Sequence, residues 1–258
     1  MQYDTITYGL ADGIATATLN RPEVMNALNS RMRAELLDAV RRAGAEARVL
    51  VLTGAGRAFC SGQDLGDGAS VRDIDLERVL REEYEPLLRA IYDCPVPTIA
   101  AVNGPAAGAG ANLALAADVV IAAASASFLQ AFARIGLIPD AGGTYWLPRQ
   151  VGMARAMGAA LFAEPLPAAE AARQGLIWEA VADTDFAHHW HKRALHLAKG
   201  PTVAYRNIKM ALRASPGNDL DAQLALEAKL QGDCGRTRDF MEGVMAFIEK
   251  RPAEYEGR

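Results

Sequence analysis

The segment Leu88–Gly104, LRAIYDCPVPTIAAVNG, joins a helical pattern to a short apolar run that ends in glycine. The same succession recurs in Gly110–Ser125, GANLALAADVVIAAAS, and in Ala168–Val181, AAEAARQGLIWEAV. Helical patterns leading repeatedly into short apolar or β-branched runs predict an α/β architecture built as several stacked turns.

Toward the N-terminus, YDTITYGLADGIATATLN (3–20) reads as two strands around a Gly-Leu-Ala-Asp-Gly turn, a hairpin. A helix is expected from Asn29 to about Ala43, with Met32, Leu36, Leu37 and Val40 on one face and Arg31, Arg33, Glu35 and Arg41 toward water. The strand RVLVLTG (48–54) follows. Toward the C-terminus, strand patterns stop at about Pro201, and 202–215 and 218–252 read as helices. Phe240, Val244, Phe247 and Ile248 keep an i, i+4, i+7, i+8 stripe there, which fits a subunit contact or an intramolecular lid.

Composition narrows the function. With 51% apolar residues in 258 and a mean hydropathy near zero, the chain can bury one large core, or one domain with an appendage. The opening MQYDTITYGL has no basic region followed by an apolar run, so a cytoplasmic protein without a targeting peptide is expected. The most apolar region, 96–128, is interrupted by Asn103, Pro105, Asn112 and Asp118 and reads as core rather than a membrane span. Cys60, Cys94 and Cys234 are far apart and form no CxxC pair, which predicts neither disulfides nor zinc. A net charge of −4 without a basic run longer than a pair leaves no footprint for a nucleic acid partner.

Several chemistries drop out on motif grounds. GAGANL (108–113) and GAGRAF (54–59) begin like a dinucleotide fingerprint, but Leu113 and Phe59 stand where its third glycine belongs. The four histidines, His188, His189, His191 and His196, sit together in one late helical segment, far from every glycine-rich turn. That placement argues against a Ser-His or Cys-His nucleophile, and no metal-ligand spacing is recognisable.

Two glycine-rich turns and one carboxylate remain. GRAFCSGQDL (56–65) and AVNGPAAGAGANL (101–113) both place small residues where a strand hands over to a turn or helix. They allow either tight packing or the aiming of two amides, those of Gln63 and Ala109, at one oxygen, an oxyanion hole. In IGLIPDAGGTYWLPR (135–149), Asp140 stands alone among apolar and aromatic residues. Pro-Asp-x-Gly is ordinary turn and helix-cap chemistry, yet a carboxylate desolvated in that setting would also serve as a base near neutral pH.

Taken together, LNRPEVMNAL (19–28), VLTGAGRAFCSGQDL (51–65), AAVNGPAAGAGANLALAAD (100–118) and ARIGLIPDAGGTYWLPRQVG (133–152) resemble the crotonase superfamily of acyl-CoA enzymes, in its order and spacing and over essentially the whole chain. The resemblance implies a spiral of ββα repeats over 1–200 carrying an acyl-CoA site, with a helical oligomerisation region over 201–258 that builds a homotrimer or a dimer of trimers. It further implies a thioester carbonyl held between the amides of Gln63 and Ala109, with no cofactor beyond the coenzyme A of the substrate. The adenine would lie against backbone around Ala58 to Leu65, including Ser61 and Asp64. Arg21, and Lys250 or Arg251 of a neighbouring subunit, are candidates for the phosphates.

The departures from the family are informative. Its hydratases carry two glutamates where this chain has Asn112 and Phe132, and a glycine where it has Asp140. A single carboxylate suits proton transfer between carbons better than addition of water. This pattern is similar to that of the isomerases of phenylacetate degradation, which act on ring-1,2-epoxyphenylacetyl-CoA. Phe132, Tyr145 and Tyr84 are then expected to wall the acyl group and Asn112 to bond the base or the ring oxygen, while the loop after Asp64 shapes the cavity. An aliphatic enoyl-CoA isomerase, a hydratase and a non-catalytic RNA-binding or scaffold homologue are the alternatives.

Overall fold

The computed structural model describes residues 3–66 and 75–258; part of the loop after Asp64 therefore lies outside the described residues. Strands β1 (Ile6–Ala11) and β2 (Ile14–Leu19) form the expected antiparallel hairpin. Ala11 pairs with Ile14, so Asp12 and Gly13, both at positive φ, make the two-residue turn. Helix α1 (Ser30–Glu46) begins where the side chain of Asn29 accepts the amide of Met32, and β3 (Val49–Gly54) follows it. Beyond the loop, α2 (Leu76–Val79) passes through one wide π turn (Leu80–Tyr84) into α3 (Glu85–Tyr92).

Next come β4 (Thr98–Val102), the short β5 (Ala106–Ala107), α4 (Ala109–Leu115), β6 (Val119–Ala123) and β7 (Ser127–Leu129). Helices α5 (Gly143–Val151) and α6 (Met153–Phe162) lead to β8 (Leu166–Pro167), α7 (Ala168–Gln174), β9 (Glu179–Val181) and α8 (Phe186–Ala198). From there only helices are described: α9 (Thr202–Ala214), α10 (Leu220–Cys234) and α11 (Arg238–Glu249).

The main sheet has the order β1-β2-β3-β4-β6-β9 and is parallel except at the hairpin; β5, β7 and β8 form a second, smaller sheet. Where β4 leads to β5 and β6 to β7, one turn of the chain lays a strand in each sheet, as in the spiral that the resemblance implies. Single bridges extend the small sheet, Cys60 against Ala106 and Leu28 against Gln63, which brings both glycine-rich turns to one edge. Strands β3 and β4 are almost wholly buried, as continuous apolar runs in a parallel sheet must be.

One helical assignment is corrected. Arg33, assigned to water above, is 2% exposed. It stands three, four and seven residues before Leu36, Leu37 and Val40, so the helical period itself carries it inward. The terminal helices are tied down by charge: Asp118 accepts Lys209 and Arg213 of α9, both at 2.7 Å, and also the amide and hydroxyl of Thr98. The histidines lie along α8, where His189 meets Glu179 at 2.8 Å.

Candidate active site

Asp140 sits in a turn that its neighbours force tight. Ala141 and Gly142 are at positive φ, the amide of Gly143 donates to the Asp140 carbonyl, and the Asn112 amide donates to that same oxygen at 2.7 Å. There is no room to relax. A Cβ on Gly143 would fall 2.5 Å from Asn112 Nδ2, and one on Gly142 2.5 Å from Trp146 Nε1. Helix α5 is capped by Gly142 and receives no side-chain cap, so Asp140 does not serve the capping role its sequence context allows. Its Oδ1 is instead buried without a hydrogen-bond partner among the described residues. Burial alone pushes this carboxyl up to about 6, because the charged form has lost water and gained nothing in return.

The two glycine-rich turns meet beside it. Gly108, at φ +53° and ψ −126°, turns the chain into α4, and only glycine takes that conformation without strain. Ala109 then begins the helix at negative φ, so alanine in place of the family's glycine leaves the amide direction intact. Opposite, Gly62 at φ +98° leads into Gln63, and a Cβ there would lie 3.5 Å from the Ala109 nitrogen. Among the described residues neither the Gln63 nor the Ala109 amide donates to a protein acceptor. Gly110 lets α4 approach: a Cβ on it would strike Cys60 O at 2.5 Å and Cys60 Sγ at 2.6 Å.

A buried network holds the Gln63 turn. Gln63 Oε1 accepts from Tyr84 OH at 2.7 Å and from Arg33 Nη1 at 2.9 Å. Arg33 also reaches Leu28 O, Ser30 Oγ and Glu83, and its guanidinium stacks 4.7 Å from the Tyr84 ring centre. Asn26, wholly buried at φ +56°, donates to the carbonyls of Ala55, Ala58 and Phe59 and so clips the same loop. The sequence reading missed the roles of Arg33, Glu83 and Asn26. For Arg33 the period of α1 was the available signal; for Asn26 nothing local distinguished it.

A cavity of about 490 Å³ opens in front of Asp140, walled by Leu80, Tyr84, Leu88, Tyr92, Tyr145 and Trp146. The last three form a cluster, with ring centres 4.8 Å apart for Tyr145–Trp146 and 5.5 Å for Tyr92–Trp146. Asp140, Tyr84 and Tyr145 are therefore brought together as expected. Phe132 and Asn112 are not in this wall. Phe132 lies under the Gly108 turn, 3.7 Å from where a Gly108 Cβ would be. The Asn112 amide is engaged by Gln130 and the Asp140 carbonyl, so it bonds the backbone of Asp140 and not its carboxylate.

The coenzyme candidates divide. Ala58 is buried in the clipped loop, Ser61 donates to Val24 O, and Leu65 is about half exposed. Arg21 is met by Asp64 at 2.7 Å and also donates to Ala27 O, so its charge is balanced within that loop. Lys250 ends α11 at φ +56°, and Arg251 beside it is paired with Glu242 and Glu249.

The sequence matches the enoyl-CoA hydratase/isomerase family over residues 9–258. A Rhodobacter capsulatus protein named "probable enoyl-CoA hydratase" is 68% identical over 258 residues, the whole of both chains. The 1,2-epoxyphenylacetyl-CoA isomerase of Escherichia coli K12 is 46% identical over 255 residues, covering 95% of this chain and 96% of that one. The crystal structure of enoyl-CoA hydratase from Bacillus anthracis superposes with a TM-score of 0.91 at 32% identity, over 99% of this chain and 100% of that one. Sequence motifs, spiral topology and these relatives agree, and the chain belongs to the crotonase family of enoyl-CoA hydratases and isomerases.

Proposed function

We propose that the protein is an acyl-CoA isomerase of phenylacetate degradation, converting ring-1,2-epoxyphenylacetyl-CoA to oxepin-CoA and moving a β,γ double bond into α,β conjugation. The observation that carries this reading is the desolvated Asp140 carboxylate, with one oxygen unpartnered among the described residues, facing an aromatic-walled cavity. Both reactions conserve composition, so one group that takes a proton and returns it suffices. In the double-bond shift, Asp140 removes a proton from the α-carbon and the electrons delocalise into a dienolate whose oxygen rests between the Gln63 and Ala109 amides. The same proton then returns at the γ-carbon. Each oxyanion donor contributes roughly 3 kcal/mol in systems of this kind. Coenzyme A enters as part of the substrate, and no cofactor is invoked.

A hydratase is the competing reading, favoured by the name of the Rhodobacter relative. Adding water needs an acid and a base, and the positions of the family's two glutamates hold Asn112, whose amide is occupied, and Phe132. The name of the Escherichia coli relative, together with Tyr84, Tyr92, Tyr145 and Trp146 around the base, supports a ring-derived acyl group. Purified protein offered crotonyl-CoA, an aliphatic β,γ-enoyl-CoA and the ring epoxide, with products read by mass spectrometry and NMR, separates the readings. Isomers of unchanged mass are expected, with the ring epoxide preferred. A dominant product heavier by one water would replace the isomerase with a hydratase.

The assembly proposed is a trimer or a dimer of trimers. A groove of about 900 Å³ between α9, α10 and α11 is lined by Ile208, Leu224, Phe240, Val244 and Phe247, and the Phe247 side chain is 86% exposed in the single chain. Light scattering of the eluting protein should give three or six times the chain mass.

A further inference from the structure

We propose that Arg33 and Glu83 are positioning residues for the oxyanion hole: the ion pair between the buried Arg33 and the partly exposed Glu83 locks the Gln63 amide to the helix that walls the acyl cavity. The inference rests on the reading of Gln63 as an oxyanion donor. Position 33 lies on the inward face of α1 beside Leu36, where a Met or Leu would pack without the cost of desolvating a charge. The guanidinium found there is nevertheless satisfied on every side. Nη1 donates to Leu28 O at 2.6 Å and to Gln63 Oε1 at 2.9 Å, while Nη2 and Nε reach Glu83 Oε2 at 2.6 and 3.1 Å.

These contacts converge on one short piece of backbone. Leu28 pairs through its amide with Gly62 O and through its carbonyl with the Asp64 amide, the residues on either side of Gln63. Arg33 thus holds Gln63 by its side chain and its neighbours by the strand bridge. Glu83 belongs to the π turn, next to Tyr84, whose hydroxyl donates to the same Gln63 oxygen. π turns widen a helix locally and recur at functional sites. Here the widened turn carries Glu83 and Tyr84 toward the loop, so the cavity wall and the amide that receives substrate charge are set relative to each other through the Arg33–Glu83 salt bridge and the Tyr84 hydroxyl. A donor misplaced by about 1 Å costs on the order of a hundredfold in rate.

The test uses Arg33→Met, Arg33→Lys and Glu83→Gln in the full-length enzyme. Readouts are kcat and KM for the isomerised substrate, thermal unfolding, and the infrared carbonyl stretch of bound phenylacetyl-CoA carrying 13C at the thioester carbon. In the wild type that stretch is expected to be lowered by the two amides. For Arg33→Met, kcat is expected to fall about 10- to 100-fold with KM changed less than about threefold, and the carbonyl shift to shrink. Arg33→Lys, which keeps the charge but not the fork, should fall between. Glu83 is partly exposed, so Glu83→Gln tolerates the change even if Arg33→Met does not fold, and it is expected to lose activity and carbonyl shift in the same sense. Folded variants with wild-type kcat and an undiminished shift, or with a change in KM alone, would overturn the positioning role. A wild-type enzyme that does not shift the carbonyl at all would instead overturn the oxyanion reading of Gln63 and Ala109.

Discussion

At the scale of one residue, Asp140 illustrates how a common sequence pattern acquires chemistry. Its carbonyl is held by Gly143 and Asn112, while its Oδ1 has no hydrogen-bond partner among the described residues, so the main chain is fixed and the carboxylate is not tied down with it. Asp140→Asn is expected to lower kcat about 10²- to 10⁴-fold with the fold retained, measured by isomer formation. Because the ionised form is the base, kcat/KM of the wild type should rise through pH about 6 and level off above it. The stability consequence has the opposite sense. The folded state binds this proton more tightly than the unfolded chain, so wild-type stability falls as pH rises from the ordinary aspartate range to about 6. The melting temperature of Asp140→Asn minus that of wild type should therefore increase between pH 4 and 7, and a pH-independent difference would contradict the buried carboxylate. Pro-Asp-x-Gly was visible in the sequence, but its choice between cap and base was not, since that depends on Gly142 capping α5 in its place.

At the scale of elements, the site depends on how closely α4 approaches the Cys60–Gln63 loop. Gly110 sets that distance. Gly110→Ala would drive a methyl into Cys60 O and Sγ, destabilising the protein by about 1–3 kcal/mol in denaturant titration. It should also reduce kcat by at least about tenfold, because the two amides separate. Of the two alternatives open in the sequence, tight packing is what the structure shows, and under the proposed function that packing would also fix the separation of the two amides. The helix α1 network was only half legible. Its apolar face followed from periodicity, whereas assigning Arg33 by charge rather than by phase sent it to water; the phase was the better guide, since a guanidinium with enough partners can be buried.

At the scale of the whole molecule, Asp118 joins the sheet to the terminal helices. It sits before β6, bonds Thr98 of β4, and receives Lys209 and Arg213 of α9. Asp118→Ala would leave Lys209 buried without its anion, a change that costs about 3–5 kcal/mol when one partner of a buried pair is removed. Denaturant unfolding should show that loss, and its absence would mean that α9 docks through apolar contacts alone. Arg48 adds a second tie, donating to Gly200 O, Thr202 Oγ1 and Glu256 O. Neither link is readable from the sequence, because Asp118 and Arg213 are 95 residues apart and Arg48 and Gly200 152.

By itself the sequence determined the α/β spiral, the hairpin and the helical C-terminal region after about Pro201, and it put forward Asp140, Gln63, Ala109, Tyr84 and Tyr145 as candidates. These are properties of local period, glycine placement and ordered motifs, and they survive without coordinates. Only the tertiary structure decided that Asp140 is a desolvated carboxylate rather than a cap, that Asn112 supports its backbone, and that Arg33 lies inside. Each of these depends on which atoms from distant segments surround a side chain, and a pKa or a buried charge is a property of that surrounding rather than of the residue.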